Sequence, residues 1–159
     1  VGLTRVAGVA QLLVVLAAVL VIQPVLATVM GRSPRLTTAT VAVIAGLLWM
    51  LALCAGDAIS AAVGAYPRAI TLILLPGFLG AGLLQLVTGV LHHLLPILTG
   101  ARPDTTERTG YARLLLINLG GLLTLLGATV AGLIMMGIGL AANVIAVGRA
   151  IYLKKRLEN

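Results

Sequence analysis

Long apolar stretches separated by short polar segments dominate the chain. Three of them are clear, at about residues 6–30, 38–58 and 71–98. Each exceeds the roughly 20 residues that an α-helix needs to cross the hydrocarbon core of a bilayer. A further apolar tract covers residues 114–153, and as a single helix it would extend roughly 60 Å, about twice the hydrocarbon thickness. The pattern therefore predicts an all-α transmembrane bundle whose last tract either crosses twice or crosses once and protrudes.

The distribution of Lys and Arg decides between these alternatives. If the tract folds back, one side of the membrane receives nine of the eleven basic residues, and the other side keeps Arg5 and Arg68. If it crosses once, the split is five against six. Because cytoplasmic segments carry an excess of Lys and Arg, we predict five helices, with four as the fallback. The nine residues are Arg32, Arg35, Arg102, Arg108, Arg113, Arg149, Lys154, Lys155 and Arg156.

The predicted topology places the N-terminus outside and the C-terminus in the cytoplasm. The five helices cover about residues 6–30, 38–58, 71–98, 108–130 and 133–153 within one transmembrane domain, residues 1–159. We expect the turn that folds the last tract back to fall near Thr129–Gly132, where glycines occur without charge. The first apolar run is expected to be a retained span and not a signal peptide, because no small-residue cleavage site precedes a polar region.

The composition supports a protein of the cell membrane that crosses it several times. The chain is 60% hydrophobic and 9% charged, whereas a soluble domain carries about 25% charged residues. Mean hydropathy is +1.16. So few charges cannot coat a surface in water, and the surface must face lipid. The net charge of +7 comes from the Lys and Arg residues that flank the apolar runs and set the orientation in the membrane. We therefore do not expect nucleic-acid binding.

Polar residues within the apolar runs are the candidate functional groups, because they are costly inside a bilayer. In the predicted topology several of them reach the cytoplasmic half of the bundle, with Gln85 and Asn143 somewhat deeper. On the third helix, Gln85 and one or both histidines share a broad face, since three- and seven-residue spacings align. The candidate inner-leaflet cluster consists of Gln23, Gln85, His92, His93, Asn118 and Arg149.

Three interpretations of this cluster stay open. The polar groups can satisfy one another or reach the headgroups; they can bind a quinone or a lipid headgroup; or a histidine can ligate haem. His92 and His93 point about 100° apart on a helix, so they cannot both ligate one haem iron from opposite faces. No cysteine or carboxylate lies at a matching depth to complete a metal site, and we predict none.

Asp57 lies at the opposite end of the second helix, in "CAGDAIS". It is a candidate proton or cation site, although such a residue more often makes local hydrogen bonds. The chain carries no serine–histidine–acid set, phosphate-cradling loop or paired carboxylates. We therefore predict no catalytic residues and do not expect the chain to be an enzyme on its own.

One segment carries a family resemblance. The stretch "GVLHHLLPILTGARPDTTERTGYARLLLINLGGLLTLLGATVAGL", about a quarter of the chain, resembles a region of haem–copper oxidase catalytic subunits and the membrane part of related copper-oxidase-associated bacterial proteins. The shared features are a helix that ends in Leu94, Leu95 and Pro96, a turn at Thr99 and Gly100, and a basic loop. The position of the family's haem ligands corresponds to Leu74–Gly77, which contains no histidine, so the resemblance implies a scaffold without haems.

The resulting functional expectation is a non-catalytic subunit of a larger membrane complex, respiratory or oxidoreductase-like. It would pack against a catalytic partner and line a quinone or lipid site, so its expected partners are other membrane subunits and lipid. The alternatives are a small homo-oligomeric transporter or channel and a haem-binding electron carrier.

Small residues such as Gly82, Gly89, Gly120 and Gly139 are spaced for close helix packing. Close packing drives helix association in a membrane, where lipid is as apolar as leucine.

Overall fold

The described residues of the protein form a bundle of five helices. The computed structural model describes residues 2–32, 37–65, 67–99 and 107–158, and every regular element in these ranges is helical. This confirms the predicted all-α architecture and the five-helix count. The helices are α1 (Gly2–Arg32), α2 (Thr38–Ala62), α3 (residues 67–99), α4 (Glu107–Leu125) and α5 (Thr129–Glu158).

The long C-terminal tract folds back on itself, as the charge distribution predicts. The turn lies at residues 126–128, slightly earlier than the predicted Thr129–Gly132. Gly127 has φ +89°, a left-handed conformation that only glycine adopts without strain. The amide of Gly127 donates to the carbonyl of Thr124 and that of Ala128 to Leu123, at 3.2 and 2.9 Å. These two bonds are a Schellman motif, which ends α4 while using its last carbonyl groups.

Helix α3 changes its winding in the middle of the membrane region. It consists of an α-helical segment Pro67–Gly77, a π-helical segment Phe78–Leu84 and an α-helical segment Gln85–Thr99. The wider π segment begins two residues after Pro76, a residue that lacks the amide needed for regular helix bonding. The sequence pattern does not predict this change, since the apolar run continues through it without interruption.

Small residues allow the helix backbones to approach closely, as predicted. A Cβ at Gly46 of α2 would lie 2.9 Å from the carbonyl oxygen of Gly82 in α3, and one at Gly8 of α1 would lie 2.5 Å from the amide of Ala62 in α2. The apolar centre of the bundle is formed by Ala81, Ile117 and Met136, with Trp49 and Leu140 packed against them. Helix α1 packs against α2 and has little contact with the other helices.

The fold is that of a polytopic membrane protein. Within the described ranges, four helices contain segments long and apolar enough to cross a bilayer: Gly2–Pro24, Thr38–Ala62, Ile70–Leu94 and Thr129–Arg149. The apolar part of α4, Thr109–Leu125, is shorter and lies at the lower limit of about 17 residues for a crossing helix. Leucine, isoleucine and valine side chains cover much of the outer surface, which suits contact with lipid.

The helices alternate in direction, so most of the positive charge lies at one end. The first residue of α2 contacts α4 at Gly110, and Gly139 of α5 lies beside the carbonyl of Arg113. We call the end where α2 and α4 begin and α5 finishes the basic end. Of the nine Lys and Arg residues in the described ranges, seven are in helix segments at the basic end and two, Arg5 and Arg68, are at the opposite end.

Candidate functional site

A hydrogen-bonded chain of side chains crosses the middle of the bundle. The indole Nε1 of Trp49 in α2 donates to Oδ1 of Asn118 in α4 at 2.6 Å. The Asn118 Nδ2 donates to Oε1 of Gln85 in α3 at 3.3 Å and to the carbonyl of Leu114 at 2.7 Å. The Gln85 Nε2 donates to the carbonyl of Ala42 at 3.4 Å. Three helices are thus joined through their side chains.

This chain satisfies its own polar groups. Gln85 is fully buried, and an unpaired amide in such a place would cost free energy comparable to one or more lost hydrogen bonds. Both its carbonyl oxygen and its amide nitrogen have partners. Trp49, Asn118 and Gln85 therefore contribute to stability and to helix registration, and they form the floor of the polar region.

A small cavity lies between this network and the basic end. Its volume is about 10 Å³, room for about one water molecule. Its inner wall is buried, and its rim is half-buried and opens at the surface of the bundle. The described residues that line it come from four helices and are Thr38, Ala39, Ala42, Thr88, Gly89, His92, Gly110, Arg113, Leu114 and Asn143.

His92 presents one ring nitrogen with no partner. Its Nδ1 lies 2.9 Å from the carbonyl oxygen of Thr88, and because a carbonyl can only accept, Nδ1 carries a proton. The Nε2 atom is buried and makes no hydrogen bond within the described part of the chain. His92 is thus held by its own helix through one nitrogen while the other remains open to a ligand.

Asn143 supplies a second buried polar group to the cavity. Its side chain is only 7% exposed, and it lines the cavity from α5. Among the hydrogen bonds of the described residues, none involves this amide. The amide atoms of Asn143 are not among the buried atoms that lack a partner, so they are accessible from the cavity, and a group there can bond to Asn143.

The start of α2 and Arg113 both bring positively charged groups to the lining of this cavity. Thr38 and Ala39, the first two residues of α2, line it, and their amides have no acceptor within the helix. The side-chain hydroxyl of Thr37 caps the helix by accepting from the amide of Thr40. A helix N-terminus carries about half a positive charge. Arg113, which is half-buried, lines the cavity from α4 and brings a guanidinium to it.

The structure brings together part of the predicted inner-leaflet cluster. Gln85 and Asn118 are directly bonded, and His92 lies in the cavity next to them, as its seven-residue spacing from Gln85 predicts. Gln23, His93 and Arg149 instead have exposed side chains on the outer surface of the bundle. His93 faces outward because it is about 100° around the helix from His92. A six-residue cluster is therefore not assembled within one chain.

The opposite end of the bundle holds a separate polar group around Asp57. Gln11 of α1 donates from Nε2 to Oδ2 of Asp57 at 3.3 Å, and Thr71 of α3 donates to Oδ1 at 2.6 Å. Gln11 also approaches the carbonyl of Cys54 at 3.4 Å. Both carboxylate oxygens thus tie neighbouring helices to α2, and the role of Asp57 as a proton or cation site stays a prediction.

The geometry offers no ready metal site in the part of the chain that the structure describes. No group of three or more His, Cys, Asp or Glu side chains converges there. His92 could supply one nitrogen ligand. Asp57 and Cys54 cannot join it at the same metal ion, because they lie towards the other end of α2. The cavity is also far smaller than the pockets of roughly 300–1,000 Å³ that enclose organic cofactors.

Several residues of the site were not candidates from the sequence. Thr38, Thr88 and Arg113 line the cavity beside Asn143, one of the deeper polar residues predicted from the sequence, and Trp49 completes the network below it. Arg113 and Thr38 are next to predicted helix ends, where polar residues are ordinary. Arg113 and Thr38 become neighbours only because the start of α2 packs against the start of α4, where Gly110 contacts Thr38.

Comparisons with protein-family models, with curated proteins and with solved structures give no match to this chain.

Proposed function

We propose that this chain is a non-catalytic integral membrane subunit of a larger membrane complex. It packs through α5 against a partner helix, and the cavity near His92 receives a polar group of a quinone or a lipid. The sequence resemblance makes a respiratory or oxidoreductase-like complex the class of partner to examine first. The cell membrane, with the basic end in the cytoplasm, is the location that the distribution of Lys and Arg supports.

The observation that carries the proposal is a second small-residue face on α5. One face, with Gly132, Met136, Gly139 and Asn143, is buried within the bundle. Another face, with Gly137, Ala141, Val144 and Gly148, is exposed. A Cβ at Gly137 or Gly148 would meet no atom within 4 Å. Small residues at such spacing let a second helix approach closely in lipid, whereas contact with acyl chains alone does not require them.

The experiment is mild detergent extraction of the tagged chain, followed by identification and stoichiometry of what co-purifies. A partner at fixed ratio is expected, and Gly137→Leu with Gly148→Leu should reduce it at least about tenfold, which corresponds to about 1.4 kcal/mol. The matched control is Ala131→Leu, another exposed small residue of α5, on a different face. A monomer without partners, or equal loss in the control, would refute the proposal.

The structure bears on the transporter alternative through the central network. A translocation path needs polar groups that water or a solute can reach through the full depth of the membrane. In this chain Trp49, Asn118 and Gln85 bond to one another below the cavity, and the apolar contact of Ala81, Ile117 and Met136 lies in the same central region. This arrangement favours a closed scaffold over a conducting path through a single chain.

The haem alternative makes a spectroscopic prediction. If His92 ligates haem, the purified complex must show a Soret band that the His92→Ala variant loses or shifts. We expect no effect of that substitution on any absorption band, because Nε2 of His92 lies in a cavity of about 10 Å³. A Soret band that depends on His92 would establish the haem alternative in place of the proposed function.

A further inference from the structure

We propose that the cavity at the basic end binds the phosphate group of an anionic phospholipid, one of whose oxygens enters between Thr38, His92, Arg113 and Asn143. This deepens the proposed function, which leaves open whether a quinone or a lipid occupies the site. It depends on that function only for the location in a membrane. The assay uses the purified chain alone, so its failure is distinguishable from loss of a partner complex.

The sign of the potential selects the class of ligand. The first amides of α2, at Thr38 and Ala39, point from a helix N-terminus, which is a ready site for an anion. Arg113 adds a guanidinium, whose fork of donors matches phosphate geometry. Among the lining residues that the structure describes, none is acidic. A quinone carbonyl is uncharged and would interact only weakly with these positive groups.

The unpartnered atoms select the same ligand. Asn143, which is 7% exposed, lines the cavity, and its amide nitrogen can donate to a phosphate oxygen, while its amide oxygen can accept from a headgroup hydroxyl. Because Nδ1 of His92 donates to the carbonyl of Thr88, its buried Nε2 can accept a hydrogen bond from a headgroup hydroxyl. A phosphate next to a hydroxylated headgroup offers both kinds of partner within one small group.

The depth and size of the site favour a lipid over a free ion. The cavity holds about one oxygen-sized group, so most of the ligand must remain at the half-buried rim. That rim lies where α2 begins and where α4 enters the apolar region at Thr109. In a bilayer this is the border between hydrocarbon and headgroups, and phospholipid phosphates are concentrated there.

The test is a titration of the delipidated chain in detergent, read by native mass spectrometry. The probes are short-chain phosphatidylglycerol, short-chain phosphatidylcholine, inorganic phosphate and a short-chain quinone. We expect phosphatidylglycerol to bind at least about tenfold more tightly than each of the others. Arg113→Gln and Asn143→Leu should each weaken its binding about tenfold, and Arg113→Lys should retain part of it. Arg149→Gln, which removes an exposed arginine of α5, should have no effect.

Each remaining outcome overturns the proposal. Equal binding of the two lipids would show that charge is not recognised, and tighter binding of inorganic phosphate would assign the site to a free ion. Preference for the quinone would assign it to that class. Phosphatidylglycerol binding that is unchanged in Asn143→Leu and Arg113→Gln would place the lipid elsewhere. Circular dichroism on every variant keeps loss of folding from being counted as loss of binding, and Arg113→Lys replaces Arg113→Gln if the latter does not fold.

Discussion

Gly120 of α4 and Gly132 of α5 lie opposite each other with their backbones in direct contact. A Cβ at Gly132 would be 2.5 Å from the carbonyl oxygen of Gly120, and a Cβ at Gly120 would be 2.7 Å from that of Gly132. No side chain fits between them. This contact joins the two halves of the C-terminal tract just beyond the turn at Gly127, and it holds the antiparallel pair together where burial of apolar surface provides no driving force.

The first prediction concerns this contact. Gly132→Ala should lower the free energy of unfolding by about 1–3 kcal/mol, the usual cost of overpacking, although alanine favours a helix over glycine by about 0.5–1 kcal/mol. A Cβ at Gly137 would meet open space, so Gly137→Ala should raise the free energy of unfolding by the helix preference of alanine alone. Unfolding in mixed micelles with SDS, followed by circular dichroism, measures both. Equal effects of the two substitutions would contradict the role of the contact.

The second prediction concerns the network between Trp49 and Asn118. Their hydrogen bond at 2.6 Å joins α2 to α4, and interhelical bonds of this kind are worth about 0.6 kcal/mol on average and up to about 1.7 kcal/mol. A double-mutant cycle of Trp49→Phe and Asn118→Leu should give a coupling free energy in this range. The control cycle pairs Asn118→Leu with Ser60→Ala, since Ser60 bonds within its own helix to Gly56, and it should be additive.

The third prediction concerns the attachment of α1, which packs mainly against α2. In Gly8→Leu the new side chain would collide with the backbone of Ala58 and Ala62, so α1 should move away. Cys54, the only cysteine of the chain, lies half-buried beneath it. Its reaction rate with a maleimide should rise several-fold. Gly2→Leu, at a position with open space, should leave the rate unchanged, and an unchanged rate in Gly8→Leu as well would disprove this attachment.

The fourth prediction concerns the orientation in the membrane. In a Cys54→Ser background, Thr37→Cys at the basic end should react with a membrane-impermeant maleimide only when the cytoplasmic face is accessible. Val63→Cys, at an exposed position of the opposite end, should react only from the outside. The physical reason is the excess of Lys and Arg on the cytoplasmic side. The reverse pattern would invert the topology and leave the helix packing unaffected.

Much of the fold was predictable because the signals are local. Apolar runs longer than a bilayer predicted α1, α2 and α3, and the distribution of Lys and Arg predicted the fold-back of α4 and α5. The exact turn was predicted a few residues late, because Gly127 and Gly132 look alike in sequence. One of them adopts a positive φ and ends a helix, and the other packs against Gly120. Which glycine turns and which packs depends on the partner helix.

The candidate site was predictable only in part. Gln85 and His92 share a face because they are seven residues apart, and the structure places them accordingly. Gln23 lies at a similar predicted depth but on the exposed surface of α1. Depth along a helix follows from counting residues, whereas rotation about its axis follows from contacts with its neighbours. The sequence therefore indicated which polar groups lie at a similar depth without distinguishing inward-facing from outward-facing ones.

The amino-acid sequence alone determined that this protein is a five-helix membrane bundle with most of its positive charge at one end, since both properties are sums over long stretches of the chain. Only the tertiary structure decided that Thr38, His92, Arg113 and Asn143 surround one cavity, and that Trp49, Asn118 and Gln85 close it from below. These residues come from four helices. They are brought together by backbone contacts at particular glycines. Such contacts are made between two helices, so no single stretch of sequence specifies them.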